Sequence, residues 1–459
     1  MSGPEKLPGG KIVAYAIGQF GWSTLVNTVN LTLVYFYIPT SESGIPTLIT
    51  QAEFFVVLNV VTLLLASGRI FDAVTDPLIA SLSDRSRHKK GRRIPFLAAG
   101  ALPTALFCAL LFFPLVQSES VTNLIWLGAV QFLFFLSLTV YVTPYFALIA
   151  ELGHSPQEKL TRSTAISVTY ALGLIVASFA PAIGGAFQSG MGLDPMQGLQ
   201  AAVSVIAVFS MIMMLVPVLF IDEKRYCRTM PSDTPVMESL AQCLSNKNFL
   251  PYVASDLAYF MGITIIMTGM PYYVEVLVQL DTSFVGLVMT AIVLLSYVYY
   301  FVVYNLAGKL GKRNLVLFAF LLFSSVFALI YFLGNMPFPS EGQMMLVAVM
   351  AAIPMAFLGV LPNAILADIA DHDSLRTGKK MEGMYYGART FLQKFGVTGG
   401  LMVFAGLTTL GKDVGAAIGF RISGIVGRVR CLVAFGVFLL YNENRVLRET
   451  IEMRERAET

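Results

Sequence analysis

The sequence predicts an all-α integral membrane protein whose twelve transmembrane helices form two halves of six. Of the 459 residues, 56% are hydrophobic and only 13% are charged, about half the charged share of an average soluble domain. Apolar runs of about 20 or more residues, each long enough to cross a bilayer as a helix, recur along nearly the whole chain. The longest polar interval between them, residues 222–248, divides these runs into two equal sets.

The predicted spans follow one another with short loops. They cover residues 12–38, 53–82, 94–116, 121–150, 163–188 and 199–221, then 249–278, 284–306, 314–334, 343–370, 384–410 and 414–441. The corresponding domains are an N-terminal six-helix half (1–221), a cytoplasmic linker (222–248), a C-terminal six-helix half (249–441) and a charged cytoplasmic tail (442–459).

The distribution of lysine and arginine over the loops predicts the orientation in the membrane. One set of alternate loops is rich in both residues, above all the loop that carries Arg85, Arg92 and Arg93. The other set is mainly acidic, with Lys412 the only clear basic residue. Because loops rich in lysine and arginine stay in the cytoplasm, we expect both termini to be cytoplasmic, in an inner or plasma membrane.

The second span carries charged residues where a membrane helix normally has none. Asp72 and Asp76 are four residues apart and share one helical face, and Arg69 lies one turn before Asp72 on that face. Pro77 lacks an N–H and frees a backbone carbonyl nearby, and Thr75 adds a hydroxyl. Oxygen ligands around two negative charges suit a small hard cation such as Na⁺, or a shared proton. The alternative is a structural Arg69–Asp72 pair that orients the helix.

The two halves also repeat short motifs. Residues 144–151, PYFALIAE, close the fourth span, and residues 362–368, PNAILAD, close the tenth. The loop at residues 84–93 after the second span has a shortened counterpart at residues 308–313 after the eighth. Two echoes at similar displacement are typical of paired six-helix repeats around a central cavity.

These motifs carry a family resemblance. The loop from Asp84-Arg85 to Gly91-Arg92-Arg93 resembles the signature loop of the major facilitator superfamily. The stretch RIFDAVTDP at residues 69–77, followed by GRRIPF at residues 91–96, is similar to the glycoside–pentoside–hexuronide cation symporters, the melibiose permease-like transporters. The resemblance implies the major facilitator fold and cation-coupled symport of a glycoside, sugar or sugar acid by alternating access.

The resemblance also implies site residues. It makes Asp72 and Asp76 the Na⁺ or H⁺ site, with Thr75 as the polar side chain between them. Lys394 in span eleven matches a family lysine near the cation and sugar sites, and Arg162, opening span five, matches an arginine of the cytoplasmic gate. For the basic loop at residues 84–93 a topology and gating role is expected, with binding of anionic lipid as the alternative.

Lys394 lies about ten residues into its span, too deep to snorkel easily to the interface. We expect it to act in coupling, together with Arg69, by competing with the cation at Asp72 and Asp76 or by linking the halves in one state. A permanent structural ion pair is the alternative.

The residues that would bind the substrate depart from the family pattern. In the melibiose carrier, aspartates on spans one and four hold the sugar, and the matching positions here are Phe20 and Val142. Trp22, Tyr145 and Phe146 neighbour the polar face of those spans and are the candidate substrate residues, although packing is the commoner role of such aromatics. A more apolar cavity would also suit a lysolipid, which a related branch of the fold carries.

Further charged residues lie in the C-terminal spans. Asp256 and Glu275 lie toward opposite ends of span seven, where each is expected to reach an interface and to have a structural or gating role. Arg421, Arg428 and Arg430 make span twelve unusually basic. One of them could meet an anionic substrate, and packing against carbonyls of neighbouring helices is the equal alternative.

No nucleotide-binding loop, nucleophile elbow or metal-ligand set is found in the sequence. We therefore expect a transporter and no enzyme, with a coupling cation in place of a cofactor. The expected partners are a small-molecule substrate and membrane lipids, with no nucleic acid, and the expected oligomeric state is a monomer. A transporter-like sensor that binds its ligand without moving it is a further alternative.

Overall fold

The computed structural model describes residues 7–50, 53–55, 58–152, 156–227, 243–377 and 382–458, and these residues are almost entirely helical. The helices of the N-terminal part are α1 (Gly9–Tyr37), α2 (Val60–Arg85), α3 (Ile94–Leu110), α4 (Val121–Leu152), α5 (Pro156–Ser178), α6 (Ala180–Met191), α7 (Pro195–Phe220) and α8 (Glu223–Tyr226). Those of the C-terminal part are α9 (Phe249–Tyr272), α10 (Phe284–Leu310), α11 (Lys312–Phe332), α12 (Ser340–Thr377), α13 (Glu382–Leu407), α14 (Ile418–Phe438) and α15 (Glu443–Glu458).

Each predicted span overlaps at least one of these helices, but the helix of the second span begins later than predicted. The first residues of that span form a short antiparallel hairpin of β1 (Glu53–Phe55) and β2 (Leu58–Asn59), and helix α2 starts only at Val60. Aromatic and β-branched residues dominate this stretch, and these residue types favour strands over helices. The helical prediction for residues 53–55 and 58–59 was therefore wrong.

Two other spans are interrupted. Span five is divided at Phe179 into α5 and α6, where Pro181 stands in the first turn of the second helix and lacks the N–H that a continuous helix needs. Helix α9 contains Pro271 and continues as a π-helix over Tyr273–Leu277. π-Helical turns of this kind are rare interruptions in α-helices and are frequent at functional positions.

Within the described residues, eight helical segments are long and apolar enough to cross a membrane, and α3 is a shorter apolar helix. A chain with this many apolar segments is an integral membrane protein, because water could not solvate so much apolar surface.

The chain divides into two compact units. The first unit holds Met1–Pro231 together with Met270–Glu275 and Asp281–Met289. The second holds Ser232–Gly269, Val276–Leu280 and Thr290–Thr459. The end of α9, the π-helix that follows it and the start of α10 are therefore divided between the two units.

In the first unit, α1 packs against α5 and α7, α3 packs against α4 and α7, and α2 packs against α4. Small residues allow close contact: a Cβ at Gly173 of α5 would lie 2.0 Å from Ser23 Oγ and 2.9 Å from the Thr24 backbone nitrogen. Close contact of this kind is typical of membrane helices, which associate by packing and hydrogen bonding instead of by excluding water.

In the second unit, α11 packs against α12 and α14, α12 packs against α13 and α15, and α13 packs against α14. A Cβ at Gly427 would lie 2.1 Å from the Phe327 ring, so the lack of a side chain at this position allows α14 to pack closely against α11.

Candidate functional site

The interface between α2 and α4 brings together the oxygen atoms of a candidate cation site. Thr143 Oγ1 donates a hydrogen bond to Asp76 Oδ1 at 3.1 Å. Thr75 Oγ1 donates to the Phe71 carbonyl at 3.0 Å and lies 3.4 Å from Thr139 Oγ1. Asp76 and Thr75 are half-buried and Thr139 is buried. Side-chain oxygens from two helices therefore meet at this interface, and one of them contacts the Asp76 carboxylate.

The local sequence explains why these helices meet here. Thr139 and Thr143 are four residues apart, so both lie on the face of α4 that contacts α2. Gly68 lets the two helices approach, because a Cβ at this position would lie 2.5 Å from the Phe135 ring and 2.2 Å from Gln131 Nε2. Gln131 Nε2 in turn donates to the Leu64 carbonyl at 3.1 Å.

Sequence reasoning missed both threonines of α4. The available signal was their spacing beside Pro144, since two hydroxyls one turn apart are unusual in so apolar a span. The sequence did not reveal which helix this face would meet.

The side chains of Arg69, Asp72 and Asp84 lie outside the described part of the chain. The backbone there is helical, and the helix continues through Pro77. A helical backbone places Asp72 and Asp76 on one face, and the joint role of the two aspartates stays a prediction.

An aromatic cluster joins three helices: Phe146 of α4, about one turn beyond Thr143, Trp22 of α1 and Tyr170 of α5. The Trp22 ring packs edge-to-face against the Phe146 ring, with 5.8 Å between the ring centroids, and against the Tyr170 ring of α5, with 5.9 Å between them. Phe146 and Tyr170 are exposed, by 44% and 37%, whereas Trp22 is buried. Within the described residues the Trp22 Nε1–H has no hydrogen-bond acceptor. The cluster thus has two exposed aromatic rings and a buried indole N–H.

The other predicted substrate positions have different surroundings. Tyr145 is fully buried and stacks on Tyr15 at 4.4 Å. Each of these tyrosines donates its hydroxyl to the carbonyl of the other, at 2.6 and 2.7 Å. Phe20 is half-buried and packs its ring against Phe209, and Val142 is half-buried on α4.

The predicted gating loop is fixed by one carboxylate. Glu223 accepts hydrogen bonds from the backbone N–H groups of Arg92, Arg93 and Ile94 at 2.7, 2.8 and 3.0 Å. The Arg93 guanidinium also donates to Ser83 Oγ, while Arg85 is exposed. Arg162, another predicted gating residue, is buried at 1% exposure near the start of α5.

The second unit contains the same loop arrangement. Glu443 accepts from the backbone N–H groups of Lys312 and Arg313 at 3.0 and 2.8 Å. The sequence separations are 131 and 130 residues, identical to those between Glu223 and the first two donors of the other loop. Gly91 and Gly311 have φ of +113° and +79° in the two copies. The echo between residues 84–93 and 308–313 is therefore a structural repeat.

Asp256 lies in a buried ion pair, so the expectation that it reaches an interface was wrong. Its two carboxylate oxygens accept from Arg389 Nε and Nη2, each at 2.8 Å, and Gln393 Nε2 donates to it at 2.9 Å. Arg389 also donates to Asn363 Oδ1. Sequence reasoning missed Arg389, although a second basic residue in span eleven was a signal for it.

Three further predicted residues can be placed. Lys394 is half-buried on α13, directly after Gln393. Glu275 is half-buried and accepts from Tyr35 at 2.9 Å and from Thr40 at 2.8 Å. Arg421 donates to the Tyr331 carbonyl at 2.5 Å, which fits the predicted packing against carbonyls.

Comparison with known proteins decides the family. The family model described as MFS/sugar transport protein matches residues 14–419. The chain belongs to this family of transporters. Membership confirms the resemblance found in the sequence, and the protein is a transporter and not an enzyme.

Two curated relatives illustrate the similarity of this MFS/sugar transport protein to symporters. An uncharacterized symporter of Synechocystis sp. is 24% identical over 498 residues, covering 88% of this chain and 86% of the relative. A putative glycoside/cation symporter of Escherichia coli is 23% identical over 405 residues, covering 85% and 81%.

Among solved structures, a mutant of the nucleoside transporter NupG matches with a TM-score of 0.68 at 11% identity. It covers 94% of this chain and 100% of that chain. This likeness shows the fold.

Proposed function

We propose that this MFS/sugar transport protein is a secondary symporter that moves a glycoside, sugar or sugar acid with Na⁺ or H⁺ by alternating access. The observation that carries the proposal is the oxygen cluster of Thr75, Asp76, Thr139 and Thr143 at the α2–α4 interface. The relatives named as symporters support the class of transport.

The cluster suits a small hard cation. Carboxylate and hydroxyl oxygens are the ligands that such ions prefer. We assign Asp76 as the charged ligand and Asp72 as the second carboxylate. The proposed neutral ligands are the hydroxyls of Thr75, Thr139 and Thr143. A proton on one carboxylate would relieve the same repulsion between the two aspartates. The two cations differ in the ligands that they need, because Na⁺ is held by several oxygens and a proton binds to one.

Coupling follows from linkage. Two nearby carboxylates repel each other, and a bound cation removes that repulsion. If the relaxed arrangement also binds substrate better, each ligand strengthens the binding of the other by the same factor. Lys394 is proposed as a positive charge that competes with the cation for these aspartates.

The proposed sugar site is the aromatic cluster. Phe146 and Tyr170 are exposed and can pack on the apolar face of a sugar ring. The Trp22 Nε1–H is buried in this structure and would donate to a sugar hydroxyl in a state of the transport cycle that opens the cluster. Helix α4 carries Thr143 on the cation side and Phe146 on the substrate side, one turn apart. A small shift of this helix would therefore affect both ligands.

The decisive experiment for this function is counterflow in proteoliposomes. Purified wild-type protein should exchange a labelled glycoside or sugar acid with its unlabelled form, and Na⁺ or a lower pH should stimulate the exchange. Binding without exchange would instead favour the sensor, and exchange of lysolipids in place of sugars would favour the lysolipid transporter.

The proposed topology has twelve helices in two six-helix halves (1–221 and 249–441), joined by residues 222–248, with both termini cytoplasmic. The proposed gating residues Asp84, Arg85, Arg92, Arg93 and Arg162 would then lie toward the cytoplasm. In intact cells, a cysteine at Ser43 should react with an impermeant thiol reagent added outside, and one at Ser86 should not. The reverse pattern would contradict this orientation.

A further inference from the structure

A groove between α11 and α14 in the second unit has features that the transport function does not use. Its cavity has a volume of about 200 Å³ and is lined by Ala328, Tyr331, Phe332, Gly424, Ile425 and Arg428. Gly424 brings the two helices together: a Cβ there would lie 2.6 Å from the Phe327 carbonyl oxygen and 3.0 Å from the Tyr331 nitrogen. The helices touch at this glycine, and the larger residues around it form the walls.

Arg428 stands at the most costly depth for a charge. It lies midway along the 21-residue helix α14, which places it about 15 Å from either helix end and near the centre of the hydrocarbon core. Its side chain is exposed at this depth. A charged side chain there is expensive unless a partner neutralises it or it reaches the interface.

Arg421, the other arginine on this face of α14, makes a hydrogen bond within the chain. Arg421, two turns earlier on the helix, donates to the Tyr331 carbonyl at 2.5 Å. For Arg428, by contrast, no hydrogen bond or ion pair is found within the described part of the chain. Since both belong to one helix, the difference points to a partner outside the chain.

The surroundings of Arg428 indicate the chemistry of that partner. Side chains on a helix lean toward its N-terminus, so Arg428 extends toward the Tyr331 and Phe332 end of the groove. These aromatics are 39% and 53% exposed, and aromatics of this kind favour the headgroup level of a bilayer. Ile425 and Val429 continue an exposed apolar strip along α14, 46% and 53% exposed.

We propose that this groove binds an anionic phospholipid, with the phosphate on Arg428 and an acyl chain along the strip of Ile425 and Val429. Because Arg428 extends toward Tyr331 and Phe332, its guanidinium points to the headgroup level, where it can donate two parallel N–H bonds to a phosphate. A lipid supplies both the anion and the apolar chain, as the groove requires. This site is separate from the proposed cation and sugar sites, which lie in the first unit.

The test measures thermal unfolding of the full-length protein in detergent, with phosphatidylglycerol or phosphatidylcholine added. Phosphatidylglycerol should raise Tm more than phosphatidylcholine. Arg428→Gln should abolish most of this difference and weaken the apparent lipid affinity about tenfold, the effect of losing one charge-assisted contact. Arg428→Lys should retain part of it, and inorganic phosphate alone should give no shift.

Two further variants keep the proposal falsifiable. Ala328→Trp fills the groove without changing the charge and should also reduce the rise in Tm with phosphatidylglycerol. This variant tests lipid binding in the groove even if Arg428→Gln does not fold. Arg448→Gln removes an arginine that is 76% exposed on α15 and should leave the effect intact. An equal shift with phosphatidylcholine, or a full phosphatidylglycerol shift in Arg428→Gln, would overturn the proposal. So would a dimer in native mass spectra that this substitution dissociates.

Discussion

Each unit holds a carboxylate within an apolar span, and the two are bound in different ways. Asp76 is half-buried and accepts a hydrogen bond from the neutral hydroxyl of Thr143. Asp256 is buried and binds the Arg389 guanidinium through both oxygens. A guanidinium neutralises the carboxylate that it holds, whereas a hydroxyl donor carries no charge and orients a carboxylate without neutralising it. The comparison teaches that partner type, more than depth, separates a structural carboxylate from a candidate ion site.

The largest expected effect is on the stability of the second unit. Asp256→Ala leaves the Arg389 guanidinium buried and uncompensated, and loss of one partner of a buried pair costs about 3–5 kcal/mol. We therefore expect a marked fall in Tm in detergent, with little folded protein recovered. The double variant Asp256→Asn with Arg389→Gln removes both charges and should regain much of the loss. If Asp256→Ala had the Tm of the wild type, Asp256 would not be a structural carboxylate and would not differ from Asp76 in this way.

A smaller effect is expected from the hydroxyls around Asp76. Thr139→Val and Thr143→Val keep the side-chain shape but each removes one oxygen, which should weaken apparent cation affinity roughly tenfold. The measurement is the cation concentration that half-stimulates counterflow. Thr104→Val is the matched control, because its hydroxyl bonds only a carbonyl of its own helix, and its half-stimulating concentration should not change. If the half-stimulating concentrations of Na⁺ and of H⁺ are the same in both α4 variants as in the wild type, these hydroxyls are not ligands.

The smallest expected effect concerns the sugar site on the same helix. Trp22→Phe preserves an aromatic ring against Phe146 and Tyr170 but removes the Nε1–H donor. One neutral hydrogen bond contributes about 1 kcal/mol, so the sugar affinity should fall several-fold with the half-stimulating cation concentration nearly unchanged. Equal loss of both affinities would mean that Trp22 supports the α4 region as a whole.

Much of this arrangement followed from the sequence. The apolar runs predicted the helices, and the motif at residues 69–77 singled out Thr75 and Asp76 before any contact was known. Both are local properties, since helix formation in a bilayer and the shared face of residues four apart need no knowledge of the fold. Family membership, inferred from the same motif, was confirmed.

The partners of these residues depended on tertiary contacts. Thr139 and Thr143 became candidates only because Gly68 lets α2 approach that face of α4. Arg389 reaches Asp256 from a helix more than a hundred residues away in sequence, a separation of 133, and sequence spacing alone does not pair such groups. The hairpin before α2 also escaped prediction, because a short apolar run fits either a strand or a helix.

Asp76→Asn tests the central claim most directly, because it removes one charge and keeps the shape of the side chain. The measurement is cation-stimulated counterflow in reconstituted protein whose Tm equals that of the wild type. If Asp76 is a cation ligand, the variant should fold normally and lose cation stimulation, since a charge-assisted contact in a dry site is strong. Full cation dependence in folded Asp76→Asn would contradict the account.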